Sequence, residues 1–184
     1  MTTPAGTPSA PLATAATARP VDARAFRDVL GRFASGLVVI TGLPDGEPAG
    51  FTCQSFTSLS IAPPLVACCP SRTSVSWRRI RATGAFCANV LSDGQRATSD
   101  LFAQRRDDKF AEVAWCPGET GAPRIEGAVA HIECEVESVH AGGDHEIVIG
   151  RVVALSGSAG HRPLLFYRGR YAALDGSGRD AGRA

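Results

Sequence analysis

The sequence lacks several features that define large classes of proteins. No apolar run approaches the ~20 residues that a membrane-spanning helix needs. There is no GxGxxG after a strand and no GxxxxGKS or GxxxxGKT, so the two commonest glycine-rich phosphate cradles are excluded. Lys109 is the only lysine and the net charge is +1, which gives no electrostatic reason to expect binding to nucleic acid or to an anionic membrane.

Metal-binding spacings are also missing, although six cysteines are present. None of them forms a CxxC pair, and no Cys/His spacing is typical of a zinc site. Most lie in apolar, strand-like runs, where a thiol behaves as a small hydrophobic group. We therefore expect reduced and mostly buried cysteines, no bound metal and a cytoplasmic location. A catalytic thiol is the alternative interpretation.

Both ends of the chain lack the apolar periodicity of a folded segment. Residues 1–20 are rich in Pro, Ala, Thr and Ser, and they have neither the basic start nor the apolar stretch of a signal peptide. We expect a disordered N-terminal tail over residues 1–20 and a flexible C-terminal tail over residues 175–184. One domain, residues 21–174, then contains the hydrophobic core.

Between the tails, the pattern is that of short helices set among many strands. Phe26, Val29, Leu30 and Phe33 are spaced as one apolar helix face. Two further helices are predicted in SRTSVSWRRIRATG and in the first part of DGQRATSDLFAQRRDDKF, whereas WCPGETGAPRIEG has the composition of a loop. Strands are predicted in GLVVITG, FTCQSFTSLSI, PPLVACCP, AFCANVLS, AVAHIECEVESVH and HEIVIGRVVALS, and two short ones in PLLFYRGRYAAL. This pattern favours a mainly β fold, a small antiparallel barrel with a few short helices.

Short hydroxyl and amide side chains are concentrated in the segment PAGFTCQSFTSLSIAPPLVACCPSRTS. On an exposed strand face such side chains are usually solvated surface. They are also suited to a ring ligand with carbonyl and N–H edges. The following PSRTSVSW places hydroxyls and Arg72 at the start of a helix, where a phosphate binds well. Together the two parts favour a nucleotide-like cofactor that lies across a sheet.

Asp144, His145 and Glu146 form a triplet of ionisable residues that follows a glycine pair and precedes a β-branched run. A hairpin turn with a surface histidine is the simplest interpretation. The alternative is a binding site, in which the glycines allow close approach of a ligand and Asp144 orients the ring of His145. Glu146 is expected to pair with an arginine.

Six stretches of the sequence occur in an order and spacing that resemble one known family. They are SGLVVITG, GEPAGFTCQSFTSLSIAPPLVACCPSRTSVSW, GAFCANVLS, LFAQRRDDKFAEVAW, GDHEIVIGRV and PLLFYRGRY. The resemblance as a whole covers about residues 24–174. The chain resembles the flavin reductase family, the small reductase components of two-component flavin-dependent monooxygenases. The resemblance implies an FMN-binding split β-barrel of Greek-key topology, which works as a homodimer with flavin near the subunit interface.

The resemblance also implies roles for particular residues. Those at the flavin ring are Thr52, Cys53, Gln54, Ser55 and Phe56, with Ser58 and Ser60 further along the same segment. Those near the flavin phosphate and tail are Ser71, Arg72, Thr73, Ser74, Lys109 and Phe110. Those at the nicotinamide are Gly143, Asp144 and the catalytic His145, with Tyr167, Arg168 and Gly169 nearby. Gln54 departs from the family, which more often has Asn or a small residue there.

The activity that the resemblance implies is NAD(P)H-dependent reduction of free flavin, FAD or FMN, by hydride transfer to flavin N5. His145 positions the nicotinamide, and no protein nucleophile is needed. A partner flavin-dependent monooxygenase then takes up the reduced flavin. Two alternatives keep the same barrel: an oxidase or reductase that holds its flavin tightly, and a flavin carrier without turnover. The preferences between FAD and FMN and between NADH and NADPH stay open.

Overall fold

The computed structural model describes residues 20–158 and 160–174 and shows a mainly β chain. Its helices are α1 (Ala23–Leu30), α2 (Val75–Ala82) and α3 (Arg96–Ala103). Its strands are β1 (Ser35–Gly36), β2 (Val38–Gly42), β3 (Ala49–Cys53), β4 (Phe56–Ser60), β5 (Leu65–Cys68), β6 (Ala85–Val90), β7 (Trp115–Pro117), β8 (Pro123–Ile125), β9 (Ala130–Gly142), β10 (His145–Gly157), β11 (Leu165–Tyr167) and β12 (Arg170–Ala172). No helix in this part of the chain is long and apolar enough to cross a bilayer. The expected tails lie outside the described residues, apart from Pro20.

Seven strands form one antiparallel sheet in the order β3-β2-β6-β9-β10-β5-β4. Strands β3 and β4 are its two outermost strands, although only Gln54 and Ser55 separate them in the chain. The sheet must therefore curl until its edges approach each other at this junction, as a small open barrel does. The prediction of one continuous strand in FTCQSFTSLSI is wrong, because the chain passes here from one edge of the sheet to the other.

The inside of the curled sheet is closed by α2. Trp77 and Ile80 of this helix are 1 % and 0 % exposed, and they pack against core residues of the strands. Helix α3 covers a second part of the sheet, where Phe102 lies over Gly50. A Cβ at Gly50 would lie 2.8 Å from the ring of Phe102, so only glycine allows this close approach.

The segment WCPGETGAPRIEG contains the β7–β8 hairpin, so its prediction as a loop is wrong. The turn between these strands is held by hydrogen bonds to Glu133 of β9. Its fully buried carboxylate accepts hydrogen bonds from the amide of Thr120 at 2.7 Å and from Arg124 Nε at 2.6 Å. Burial raises the pKa of Glu133, but these hydrogen bonds outweigh it and hold the pKa below its usual value. The hairpin therefore depends on a partner that its own composition does not reveal.

Helix α1 presents its apolar face to solvent. Phe26, Val29 and Leu30 are 55 %, 62 % and 52 % exposed, and the helix buries none of its residues. It ends earlier than predicted, with Gly31 as its C-cap, so Phe33 lies beyond its end. The opposite face lines a cavity next to the β11–β12 hairpin, through Arg24, Arg27, Asp28 and Gly31. The helix is amphipathic, but its orientation is the reverse of that expected in a lone globular chain.

The six cysteines are all free thiols, as expected. Cys53, Cys68, Cys87 and Cys134 are buried, Cys69 is half-buried and Cys116 is exposed. Burial raises the pKa of Cys87 and of Cys134 to about 12, which keeps these thiols protonated and unreactive. The expectation of mostly buried cysteines is confirmed.

Candidate functional site

A cavity of about 650 Å³ opens beside the junction between β3 and β4. Its volume lies in the range of pockets that hold small molecules and cofactors. Its wall consists of residues 51–55, 69–71, 73–76 and 102–107, together with Lys109 and His145. Segments that are far apart in the sequence thus converge on one space, as a cofactor lying across the sheet requires.

The β3–β4 junction is held in place by its own hydroxyl groups. Ser55 Oγ donates to the carbonyl of Cys69 and accepts from the amide of the same residue, both at 3.1 Å. Thr52 Oγ1 donates to the carbonyl of Ser99 on α3 at 2.7 Å. Gln54 is exposed, and its carboxamide has no hydrogen bond to any described residue. Gln54 is therefore the side chain at this junction that is free to contact a ligand.

The start of α2 forms the next part of the wall. Ser74 is the N-cap, and its hydroxyl accepts a hydrogen bond from the amide of Trp77 at 3.2 Å. Ser71 Oγ and Thr73 Oγ1 are 3.0 Å apart and bond to each other. Val75 and Ser76, in the first turn, also line the cavity. The first turn of a helix has free backbone N–H groups and a partial positive charge, which suit a phosphate.

Arg72 lies in the same segment but does not line the cavity. Its amide donates to the carbonyl of Asp144 at 3.1 Å, and its Nη1 is 3.4 Å from the carbonyl of Gly143. The guanidinium is therefore directed to the β9–β10 turn. Arg72 ties the segment before α2 to the turn that carries His145.

His145 is the first residue of β10 and lines the cavity with a half-exposed side chain. Its Nδ1 is 2.7 Å from Asp144 Oδ1, so the contact expected between these two side chains is present. The hydrogen bond from His145 lowers the pKa of Asp144. The left-handed Gly143, with φ of 74°, makes the tight turn that precedes them. The pair has the geometry of an imidazole whose ring orientation is fixed by a carboxylate.

Glu146, the next residue, anchors this turn to α2. Its carboxylate accepts hydrogen bonds from Trp77 Nε1 at 2.7 Å and from Arg81 Nη1 at 3.0 Å. Its amide donates to the carbonyl of Pro70 at 2.9 Å. The expectation that Glu146 pairs with an arginine is confirmed. Because successive strand residues point to opposite sides, Glu146 reaches α2 while His145 faces the cavity.

Lys109 is part of the cavity wall but is almost completely buried. Its Nζ donates to the carbonyls of Gly50 and Phe102, both at 3.2 Å, and burial lowers its pKa. Phe110 packs edge-on against the rings of Phe102 and Trp115, with ring centroids 5.0 and 5.9 Å apart. Phe110 does not line the cavity, and the direct roles of both residues at the flavin tail stay predictions.

Other residues that the resemblance assigns lie outside the wall. Phe56, Ser58 and Ser60 are on β4, beyond the junction, and Gly143 and Asp144 form the turn behind His145. The cavity between α1 and the β11–β12 hairpin is lined by Tyr167, Arg168 and Gly169. There the amide of Arg168 donates to the carbonyl of Gly31 at 2.8 Å. The structure thus brings together residues 52–55, Ser71, Thr73, Ser74, Lys109 and His145, and it separates residues 167–169 from them within one chain.

Among the described residues, no group of three or more His, Cys, Asp or Glu side chains could hold a metal ion. Sequence reasoning missed residues 102–107 as part of the wall. The only available signal was that they adjoin Lys109 in the sequence.

The chain matches the model of the flavin reductase like domain over residues 30–175. It is 49 % identical over 161 residues to HsaB, the reductase subunit of a flavin-dependent monooxygenase from Rhodococcus jostii, which covers 88 % of this chain and 83 % of that relative. It is 42 % identical over 160 residues to the flavin reductase (NADH) of Kitasatospora aureofaciens, which covers 83 % of this chain and 82 % of that one. The chain therefore belongs to the flavin reductase family.

Solved structures have the same fold. Nitrilotriacetate monooxygenase component B from Mycobacterium thermoresistibile superposes with a TM-score of 0.84 at 46 % identity, over 88 % of this chain and 91 % of that one. The NADH:FAD oxidoreductase of Streptomyces globisporus, in complex with NAD and FAD fragments, gives 0.81 at 38 % identity, over 90 % and 100 %. The predicted family and fold class are confirmed, and the names of these relatives agree with the predicted class of enzyme.

Proposed function

We propose that the protein reduces free FMN or FAD with NADH or NADPH in the cavity beside the β3–β4 junction. The proposal rests on the convergence of this junction, the start of α2 and His145 on one space. The resemblance assigns these three parts to the flavin ring, the flavin phosphate and the nicotinamide. Hydride transfer needs its donor and acceptor in contact, so one shared cavity suits the reaction.

The cavity suits a flavin that binds and leaves. Free backbone N–H groups at the first turn of α2 can meet the phosphate, and Gln54 can meet a ring edge. The hydroxyls of Thr52 and Ser55 are already bonded within the protein. The relatedness to the flavin reductase (NADH) of Kitasatospora aureofaciens supports flavin as a diffusible substrate over the alternative of a tightly held cofactor.

His145 orients the nicotinamide and takes no part in bond breaking. Flavin, when bound, supplies the hydride acceptor, and the nicotinamide supplies the hydride. The bond between Nδ1 and Asp144 fixes the ring of His145 and leaves Nε2 and one ring face for the nicotinamide and its carboxamide. Phe51 and Phe102 contribute apolar surface that keeps water away from the reacting atoms.

A second copy of the chain is the proposed cover of the apolar face of α1. Phe26, Val29 and Leu30 form a ridge that no described residue covers, and a symmetric dimer lets two such ridges cover each other. In such a homodimer, residues 167–169 of one subunit become candidates to complete the cavity of the other. This reconciles their assignment to the nicotinamide with their position against α1.

The proposed recipient of the reduced flavin is a flavin-dependent monooxygenase. The support is the relatedness to HsaB, which is the reductase subunit of a flavin-dependent monooxygenase. A cytoplasmic location is proposed with it, because the six cysteines are free thiols.

The proposal is tested by mixing the purified protein with NADH and an excess of free FMN or FAD, and following the absorbance of the reduced nicotinamide. Many turnovers per protein molecule are expected. A single stoichiometric oxidation of NADH would favour the tightly held flavin, and no oxidation by a protein that still binds flavin would favour the carrier. Either of these two results overturns the proposed activity.

A further inference from the structure

We propose that Arg105 is the cation that binds the phosphate or pyrophosphate group of the flavin tail. The proposal rests on the proposed function and concerns the same cavity. Neither the resemblance nor the sequence pattern singles out Arg105, since it lies in the run RRDDK, which is typical of a solvated surface. The structure instead places Arg105 in the cavity wall.

Arg106, the neighbour of Arg105, is already neutralised by two carboxylates. Its Nε and Nη2 donate to the two oxygens of Asp108 at 2.5 and 2.7 Å, and its Nη1 is 2.7 Å from Glu112 Oε1. A guanidinium bound to two carboxylates has little charge left for a ligand. Arg106 therefore shapes the loop and is a poor candidate for a phosphate.

Lys109 and Arg72, the two cations that the resemblance places near the flavin tail, are also engaged. The ammonium of Lys109 is buried and donates to two backbone carbonyls, and Arg72 is directed to the β9–β10 turn outside the wall. Arg105 is exposed and has no hydrogen bond or ion pair to any described residue. It is thus the cation in the wall whose guanidinium is free for an anion.

The position of Arg105 suits a ligand whose phosphate lies near the start of α2. Both Arg105 and the first turn of α2 line the same cavity, so a guanidinium and free helix N–H groups face one space. An arginine can bind two phosphate oxygens at once, which adds geometric selection to charge. Asp107 also lines the cavity, and its carboxylate repels the negative charge of a phosphate. The positive charge of Arg105 is needed to offset this repulsion.

The experiment measures the dissociation constants of riboflavin, FMN and FAD without any nicotinamide, by isothermal titration calorimetry. The variants are Arg105→Gln and, as a matched control, Arg78→Gln, which removes an exposed arginine of α2 that lies outside the wall. Arg105→Gln is expected to weaken FMN and FAD binding about three- to tenfold, the range between an exposed ion pair and a charge-assisted hydrogen bond. Riboflavin has no phosphate, so its dissociation constant should change less than about twofold.

Three results would overturn the assignment of Arg105 while leaving the proposed function intact: unchanged FMN and FAD binding, an equal loss for riboflavin, or the same loss in Arg78→Gln. If the wild-type protein binds none of the three flavins, the proposed function itself fails, and the assignment of Arg105 fails with it.

Discussion

Helices α1 and α2 have the same length and the same kind of start, yet they differ in what they bury. Each has eight residues and begins at a side-chain cap, Asp22 in α1 and Ser74 in α2. Helix α2 buries Trp77 and Ile80 under the curled sheet, whereas α1 buries none of its residues. Amphipathic spacing therefore predicts a helix in both places, but it does not predict which surface covers the apolar face.

The two helices serve different levels of organisation. Helix α2 belongs to the core of a single chain. Its first turn lines the cavity, and its Trp77 and Arg81 hold Glu146, next to His145, by hydrogen bonds. Helix α1 exposes an apolar ridge that suits assembly with a second copy. Substitutions in α2 should therefore act on the folding of each chain, and substitutions in α1 on its association.

The largest expected effect is on folding, through Ile80→Ala in α2. Ile80 is fully buried, and removing such a side chain costs about 2–5 kcal/mol of stability. The matched variant in α1 is Leu30→Ala, which should change the unfolding of the single chain by less than roughly 0.5 kcal/mol. Urea unfolding extrapolated to low protein concentration measures both. Similar losses in the two variants would contradict the difference between the helices.

The sequence was sufficient to predict most of the strands and the contact between Asp144 and His145. Period-two alternation reports which strand faces are buried, and it is a local signal. The split of FTCQSFTSLSI into β3 and β4 was not predictable in this way, because it depends on how far the sheet curls. The two strands have the same local pattern and lie at opposite edges of the sheet.

The second prediction concerns assembly. Replacing Val29 and Leu30 together by Asp places two charges on the apolar ridge of α1, which should convert the proposed homodimer to a monomer. A control with Asp at Arg32, an exposed position just beyond the helix, should leave the dimer intact. Light scattering coupled to size-exclusion chromatography measures the mass. A wild-type protein that is already monomeric and fully active would refute the dimer.

The third prediction concerns the anchor of the β9–β10 turn. Glu146→Gln weakens the contacts with Arg81 and Trp77, so we expect a rise of about two- to fivefold in the KM for NADH, the size of a weakened hydrogen bond. The amide of Arg72, which bonds to Asp144, should also exchange its hydrogen faster. Glu47→Gln breaks an ion pair of the same helix, with Arg79, away from the cavity. Glu47→Gln should change neither the KM for NADH nor the exchange of the Arg72 amide. Equal effects in both variants would contradict a specific role of Glu146 in positioning the turn.

The smallest expected effects come from the helix caps. Ser74→Ala removes the hydroxyl that accepts from the amide of Trp77 and should cost about 1 kcal/mol of chain stability. Asp22→Ala removes the matching bond to the amide of Ala25, but α1 adds nothing to the buried core, so the cost at low protein concentration should be a few tenths of a kcal/mol. Thermal unfolding of both variants measures the difference. A larger loss for Asp22→Ala would show that α1 supports the single chain after all.

The site was less predictable than the strands, because charge runs do not reveal their partners. RRDDK contains three cations, and only their contacts distinguish the neutralised Arg106, the buried Lys109 and the free Arg105. Residues 167–169 show a second limit of prediction from the sequence, which is that a site can depend on another subunit. The resemblance places them near the nicotinamide, and one chain places them against α1. Their proposed role depends on a second subunit, which no pattern within one chain can position.

The most direct test of the shared cavity is a steady-state titration of NADH and of flavin with His145→Ala. The nicotinamide loses a ring face and the hydrogen bond proposed for Nε2, together worth about 1–2 kcal/mol, so the KM for NADH should rise roughly tenfold. The flavin KM should change little, since its proposed contacts come from the β3–β4 junction and the start of α2.

His140→Ala is the matched control, because His140 lies in the same hairpin, bonds to Ser138 at 3.0 Å and does not line the cavity. It should leave both KM values unchanged. A rise in the flavin KM alone for His145→Ala would place His145 in the flavin pocket, and no change in either value would leave the β9–β10 turn as a plain hairpin with a surface histidine.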